Sequence, residues 1–406
     1  MSDIFLVRQP IFDRTDHAVG YELRFRPPDD GGDPFARSYL SGSFEFLRAG
    51  LPAYVRCTRQ QLVERIFDAP DSGSLVVVLP PDLPPDEEVI AAISSLANRG
   101  VTVVLDEFEL PKQAGNPILS LLAHASRVRI DLRCQDPATL GPLVAALKRQ
   151  GKRAIADHII DGKLYKACLA LGFDGFQGPH FSRPEPLPAA ELPSSTATAL
   201  RLLSLARNPD ASERELERVI SADPGITYQL LRIVNSAALG GNGITSIQHA
   251  LRMVGRTNVV RWLAMASATS RMGKSGSDDE LVRQAVQRAR FCEQLAAPMS
   301  GRDGGTLFLV GLFSLLDAVF RMPMSEVLER VNLADEVKQA LLDRTGAYAD
   351  ALELIEAYEL GLWELAADTA TRMGLDPSSL PALYEDAIRW AVEQLPGKAQ
   401  PAVARV

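Results

Sequence analysis

From Asp3 to about Pro186, short runs rich in β-branched and aromatic residues alternate with longer amphipathic stretches. Apolar runs at residues 4–8, 19–25, 53–57, 75–79, 101–105, 128–132, 153–156 and 173–176 predict eight strands. Amphipathic stretches such as 87–97 and 137–150 predict helices between them. Strands that alternate with helices make an α/β domain, and eight such units suit a closed barrel better than an open sheet.

The pattern changes at Phe181-Ser182-Arg183-Pro184-Glu185-Pro186-Leu187-Pro188, where three prolines in five residues break regular structure and mark a stiff connection. Beyond it the β-branched runs disappear and the three- to four-residue period takes over. Ser212 before Glu213, and Asp223 before Pro224, are helix start signals. After Pro224, Ile226, Leu230, Ile233, Val234 and Ala237 fall on one helical face. Further helices are predicted at 247–254, 259–270, 279–296, 306–320, 335–342, 350–372 and 382–395. The predicted layout is an α/β barrel over 1–187, an all-α domain over 188–395 and a frayed tail over 396–406.

Composition narrows the function classes. The 406 residues carry 43 basic against 51 acidic side chains, a net charge of −8, which disfavours a nucleic-acid coat or a polybasic membrane binder. The longest uncharged apolar stretch, 304–316, is too short to cross a bilayer, and Met1-Ser2-Asp3-Ile4 lacks the plan of a signal peptide, so a cytoplasmic location is expected. The cysteines Cys57, Cys134, Cys168 and Cys292 form no C-x-x-C pair and read as packing residues. The five histidines include no H-E-x-x-H and no His-Asp pair.

Acidic residues recur near the C-terminal ends of the predicted strands: Glu22, Asp106 with Glu107, Asp131 and Asp157. In a parallel barrel those ends meet at one mouth, where a carboxylate cluster can hold Mg²⁺ or Mn²⁺ and polarise a phosphodiester. The plainer reading makes each of them an N-cap for the helix that follows.

The blocks Gly20-Tyr21-Glu22-Leu23-Arg24-Phe25-Arg26, Leu105-Asp106-Glu107-Phe108, Arg129-Ile130-Asp131 and Phe176-Gln177-Gly178-Pro179-His180-Phe181 together resemble the EAL domain in order and spacing. That resemblance implies a TIM-like barrel derived from two-metal cyclic di-GMP phosphodiesterases. It makes Glu22 the signature metal ligand, Arg26 a phosphate contact and Asp106-Glu107 the counterpart of a metal-binding aspartate pair. Asp131 and Gln177 complete the residues it leaves for ligand binding.

The departures from that pattern fall on its chemistry. Arg56 stands where the resemblance expects an asparagine ligand and Pro80 where it expects a glutamate, and neither side chain can coordinate Mg²⁺. Arg129 replaces the lysine that helps activate water, and arginine stays protonated at neutral pH, so it cannot take over that role. Ala156-Asp157-His158-Ile159 replaces A-E-G-V, and Glu109-Leu110-Pro111 replaces a glycine-rich loop. The expectation is a barrel without phosphodiesterase activity.

In the second half, Leu192-Pro193, the segment from Asp223-Pro224 to Asn235-Ser236, the segment from Ser246 to Gly255 and Phe308-Leu309-Val310-Gly311-Leu312-Phe313 resemble the HDOD domain, a helical relative of HD phosphohydrolases. Ser314-Leu315 stands where an HD enzyme has its metal-binding His-Asp pair, and Asp317 is alone nearby. Asp223 and Asn235 read as helix-end residues. Residues 225–272 carry Arg232, Arg252, Arg256, Arg261 and Arg271 with no Asp or Glu, which reads as a face neutralised by acids elsewhere in the domain.

Both halves therefore read as enzyme-derived domains without their metal chemistry, with no cofactor and no metal. The expected role is a bacterial signalling scaffold that acts on a regulatory protein partner, with a homodimer as a further assembly. The alternative is a receptor that couples cyclic di-GMP occupancy, through Glu22, Arg26, Asp131 and Gln177, to the helical half. An active phosphodiesterase ranks last.

Overall fold

The computed structural model describes residues 5–26, 31–109, 118–182, 202–205, 208, 212–221, 255–269, 272, 276–297, 299, 302–329 and 333–395. The proline-rich connection after Ser182, the 223–237 and 247–254 segments, the tail and the Leu110-Pro111 loop lie outside them.

Eight strands close a barrel in sequence order. They are β1 (Leu6–Asp13), β2 (Ala18–Phe25), β3 (Ala53–Arg56), β4 (Leu75–Leu79), β5 (Thr102–Leu105), β6 (Arg127–Asp131), β7 (Arg153–Asp157) and β8 (Gly175–Phe176). The barrel is not wholly parallel: β1 runs antiparallel to both β2 and β8, and the pairs from β2/β3 to β7/β8 are parallel. β1 also continues five residues past the expected end at Arg8, because Gln9 to Phe12 pair with the length of β2. A single-residue bulge at Val19 lies within that pairing.

The helices between the strands are α1 (Pro34–Leu40), α2 (Ser43–Arg48), α3 (Arg59–Val63), α4 (Glu87–Asn98), α5 (Ile118–His124), α6 (Pro137–Arg149) and α7 (Gly162–Leu171). Their starts are written in the sequence. Asp86, Asp136 and Asp161 accept hydrogen bonds from the first-turn N–H groups of α4, α6 and α7, and Thr58 closes a capping box with Gln61. β4 is Leu-Val-Val-Val-Leu and is buried on both faces, as a parallel strand between a packed lumen and a helix layer must be. Ile11, Tyr54, Val76, Val78, Val104 and Ile155 fill the lumen.

The second half is helical: α8 (Glu213–Ser221), α9 (Arg256–Thr269), α10 (Gly276–Gln294), α11 (Gly304–Phe313), α12 (Leu316–Phe320), α13 (Met324–Glu329), α14 (Asp335–Leu342), α15 (Ala349–Glu359), α16 (Trp363–Arg372) and α17 (Leu380–Gln394). Ser212 caps α8 through a reciprocal bond with Glu215. Two helices expected to be continuous are broken. The 306–320 segment turns at Ser314-Leu315, and the 350–372 segment turns at Leu360-Gly361-Leu362, where Gly361 takes φ 73°.

One apolar core runs through both halves, from Leu6 on the barrel to Leu395 at the end of α17. Cys57, Cys168 and Cys292 are buried in it, but Cys134 is exposed and lies outside it, contrary to expectation. Among the described residues no helix is long and apolar enough to cross a membrane.

Candidate functional site: an arginine-filled barrel mouth

Strand alternation decides what faces the mouth. On β2, Tyr21 and Leu23 pack outward and Glu22 points into the lumen; the inward series continues with Arg56 at the end of β3, Asp106 after β5, Arg129 and Asp131 on β6, Asp157 on β7 and Gln177 after β8. The structure thus brings most of the sequence-derived candidates to one end of the barrel.

At the centre lies Arg129. Its guanidinium grips Asp106 with two parallel bonds, Nε to Oδ1 and Nη2 to Oδ2, each 2.6 Å long. Its third nitrogen, Nη1, lies 2.8 Å from Oε1 of Glu22. Gln177 completes the ring: its Oε1 accepts from Nη1 at 3.3 Å and its Nε2 donates to Glu22 Oε2 at 2.7 Å and to Gln9 Oε1 at 3.2 Å. Only 4% of the Arg129 side chain, 3% of Glu22 and 2% of Asp106 is exposed.

Burial this deep opposes ionisation of Glu22, but the charges of Arg129 and Arg24 and the bonds from Arg129 and Gln177 together outweigh it and hold the carboxyl down at about 2. The effect is mutual: burial works against the Arg129 charge, and Glu22 and Asp106 together keep it well above the usual arginine range. Glu22 and Asp106 share one fixed cation.

The rim is organised separately. Arg56 donates to Glu107 at 3.0 Å and reaches Asp106 at 3.4 Å, with its side chain 47% exposed. Asp131 is clasped by Arg133, which donates its backbone N–H at 2.9 Å and its Nη2 at 2.7 Å. His158 Nδ1 lies 3.3 Å from both Asp131 and Asp157. Bonding to Asp157, and the charges of Asp157 and Asp131, raise the His158 pKa above 6.5 despite partial burial. Its backbone sits at φ 62°, the left-handed region that suits the glycine expected at this position, and Glu107 sits at φ 45°.

Several expectations are refined by these contacts. The mouth carboxylates are not helix caps: Asp106, Asp131 and Asp157 bond the N–H of Glu107, Arg133 and His158, and the capping is done by other aspartates. Arg26 does not enter the cluster; it lies over the Phe5 ring, 5.1 Å from its centroid. Pro80 is buried and brings no donor to the mouth. Gln9, Arg24, Arg133 and His158 take part without having been picked as site residues; an inward-facing glutamine within the apolar β1 was the available signal for Gln9.

The oxygens of Glu22 and Asp106 are taken up by guanidinium and amide hydrogens, and the two places meant for further ligands hold an arginine and a proline.

The helical half repeats the theme. At the Ser314-Leu315 turn, Ser314 Oγ accepts from Arg288 Nη1 at 3.1 Å, and Arg288 donates to Glu359 at 2.9 and 2.7 Å. An arginine is therefore buried where the HD resemblance places a metal pair. Asp317 bonds the N–H of Ala318. Of the arginine-rich segment, Arg261 is paired with Glu293 and covers the Phe308 ring, which agrees with neutralisation inside the domain. Arg232, Arg252 and Arg271 lie outside the described residues, as do Asp223 and Asn235.

Comparison with known proteins places these features in context. Residues 192–343 match the HDOD domain family. The Bacillus subtilis protein YuxH is 27% identical over 404 residues, covering 95% of this chain and 98% of its own length. The Vibrio cholerae protein CdgJ, named a cyclic di-GMP phosphodiesterase, is 25% identical over 407 residues and covers 96% of this chain and 93% of itself. Among solved structures, the Klebsiella pneumoniae BlrP1 complex with calcium and cyclic di-GMP is 16% identical over 45% of this chain and 56% of that one, with a TM-score of 0.36. A Listeria monocytogenes EAL domain protein is 15% identical over 45% of this chain and 88% of that one, also at 0.36. The chain thus carries an HDOD domain at residues 192–343, behind a closed eight-stranded barrel.

Proposed function

We propose that this chain is a non-enzymatic regulator in cyclic di-GMP signalling, whose working parts are protein-binding surfaces. The observation that carries the reading is the Arg129 guanidinium bonded at once to Glu22 and Asp106. Two-metal hydrolysis needs those carboxylates free for cations and a water that a nearby group can deprotonate. Here a fixed cation stands between them, and it does not release a proton. The connection to cyclic di-GMP rests on full-length similarity to CdgJ and on the HDOD match. The name of CdgJ favours hydrolysis in that protein; the filled mouth argues against it in this one.

A second reading, a receptor that binds cyclic di-GMP without cleaving it, is favoured by one observation. Arg56 and Arg133 keep 47% and 64% of their side chains exposed at the rim, where a phosphate can still reach them. The test is calorimetric titration of cyclic di-GMP into the full-length protein with Mn²⁺, followed by chromatography of the same sample for linear dinucleotide. No product and no heat supports the regulator. Heat without product, lost in Arg56→Ala, supports the receptor, and sustained turnover overturns both.

A further inference from the structure

On the outer face of the β1–β2 hairpin the barrel contributes α2 alongside β2, and the helical half supplies further cover. α10 packs on β1 and β2, α15 on β1, and α17 packs on α2 beside them. Tyr21 donates to Glu280 of α10 at 2.7 Å, Arg283 bonds the same carboxylate at 3.2 Å, and Arg8 lies 3.7 Å away with its guanidinium 4.3 Å from the Tyr21 ring centroid. Phe5 meets Trp363 at 5.8 Å and Tyr358 at 6.2 Å. At the far end of the hairpin, Gly276 sits so close to the backbone of Asp16 and His17 that a Cβ has no room, and Ser277 donates to Asp16 at 2.5 Å.

The inner face of the same hairpin builds the mouth. Glu22 and Gln9 are paired across β1 and β2 and both bond Gln177, and Glu22 also holds Arg129. Adjacent residues of one strand thus face opposite ways, Tyr21 to the helical half and Glu22 to the mouth. α10 extends the line, because Arg288, two turns beyond Glu280, is the residue that fills the Ser314 centre.

We infer that the β1–β2 hairpin is a shared wall through which the barrel mouth and the helical half control one another. A strand that is hydrogen-bonded on both edges and packed on both faces cannot shift on one side alone. A change in the Glu22–Arg129 pairing is therefore felt at Glu280 and along α10, and a change of α10 is felt at the mouth. This coupling does not depend on whether the mouth takes a nucleotide.

The test perturbs the helical side and reads the mouth, using hydrogen–deuterium exchange on the full-length protein. Glu280→Ala removes the acceptor of Tyr21, and Tyr21→Phe removes the donor more gently. Glu385→Ala breaks a different contact between the halves, the 2.7 Å bond from Ser43 on α2, and leaves the hairpin alone. The readout is exchange in residues 102–109 and 127–133, on β5 and β6 at the mouth. The shared wall predicts that Glu280→Ala and Tyr21→Phe speed exchange there about threefold or more, while Glu385→Ala leaves it unchanged. If Glu280→Ala does not fold, Tyr21→Phe carries the comparison alone. Unchanged exchange in the hairpin variants, or an equal effect from Glu385→Ala, overturns the inference.

Discussion

Replacing Arg129 with methionine keeps an unbranched stem and removes the charge, which leaves the buried Glu22 and Asp106 with only the more exposed Arg24 and Arg56 as cations. Removing one member of a buried ion pair costs about 3–5 kcal/mol, because the remaining charge is stranded away from water. An independent route gives a similar figure. Holding Glu22 at about 2, against an ordinary value of 4.5, corresponds to about 3 kcal/mol at neutral pH. The sign follows from the direction: a lowered carboxyl stabilises the fold above its unfolded value, and that stability is lost as the pH falls from about 4.5 through about 2. Once Arg129 is gone, burial acts on Glu22 against only Arg24 and the Gln177 bond, so its pKa rises, the dependence reverses and Arg129→Met becomes more stable relative to wild type as the pH falls from 7 to 5. Urea denaturation at pH 7 and pH 5 measures both effects. A loss under about 1 kcal/mol at pH 7, with no reversal, would refute the view that Arg129 neutralises the mouth.

Three further outcomes are expected. Arg129→Lys restores the residue type of the EAL pattern without restoring turnover, since Arg56 and Pro80 still occupy ligand places; chromatography of a Mn²⁺ reaction checks this. His158→Gly relieves a left-handed backbone and removes the imidazole between Asp131 and Asp157, so one pH-dependent contribution disappears. In the wild type that contribution is complete below pH 6.5 and is lost as the pH rises through the elevated His158 value, and thermal unfolding across pH 5 to 9 reads the difference. Arg288→Met leaves Glu359 buried and unpaired at the Ser314 turn and lowers stability by about 3 kcal/mol or more in urea denaturation.

The barrel was legible because its strands and helices repeat with different periods. Eight apolar runs mark eight strands, and Asp86, Asp136 and Asp161 announce three helices before they begin. The antiparallel β1 was not, since a two-sided apolar strand carries no mark of its direction. Helix breaks at Ser314-Leu315 and Leu360-Gly361-Leu362 escaped the periodicity because the apolar pattern continues through both.

The site was legible in its membership and not in its wiring. The resemblance pointed to Glu22, Asp106, Asp131 and Gln177, and entered Arg129 as the replacement of a lysine, not as the partner of two carboxylates. That Arg129 sits between Glu22 and Asp106 depends on residues 107 positions apart or fewer meeting through barrel closure, which no local pattern encodes. The contact of Tyr21 with Glu280 spans 259 residues and joins the two halves, so it too appears only in the fold.

The central claim is that Arg129 occupies the place a metal ion would need. Calorimetric titration of Mn²⁺ into the wild type and Arg129→Met, each at neutral pH, tests it most directly. The account predicts no binding at the mouth of the wild type, and a new Mn²⁺ site in Arg129→Met that Asp106→Asn abolishes. Stoichiometric binding to the wild type that is lost in Asp106→Asn would contradict it.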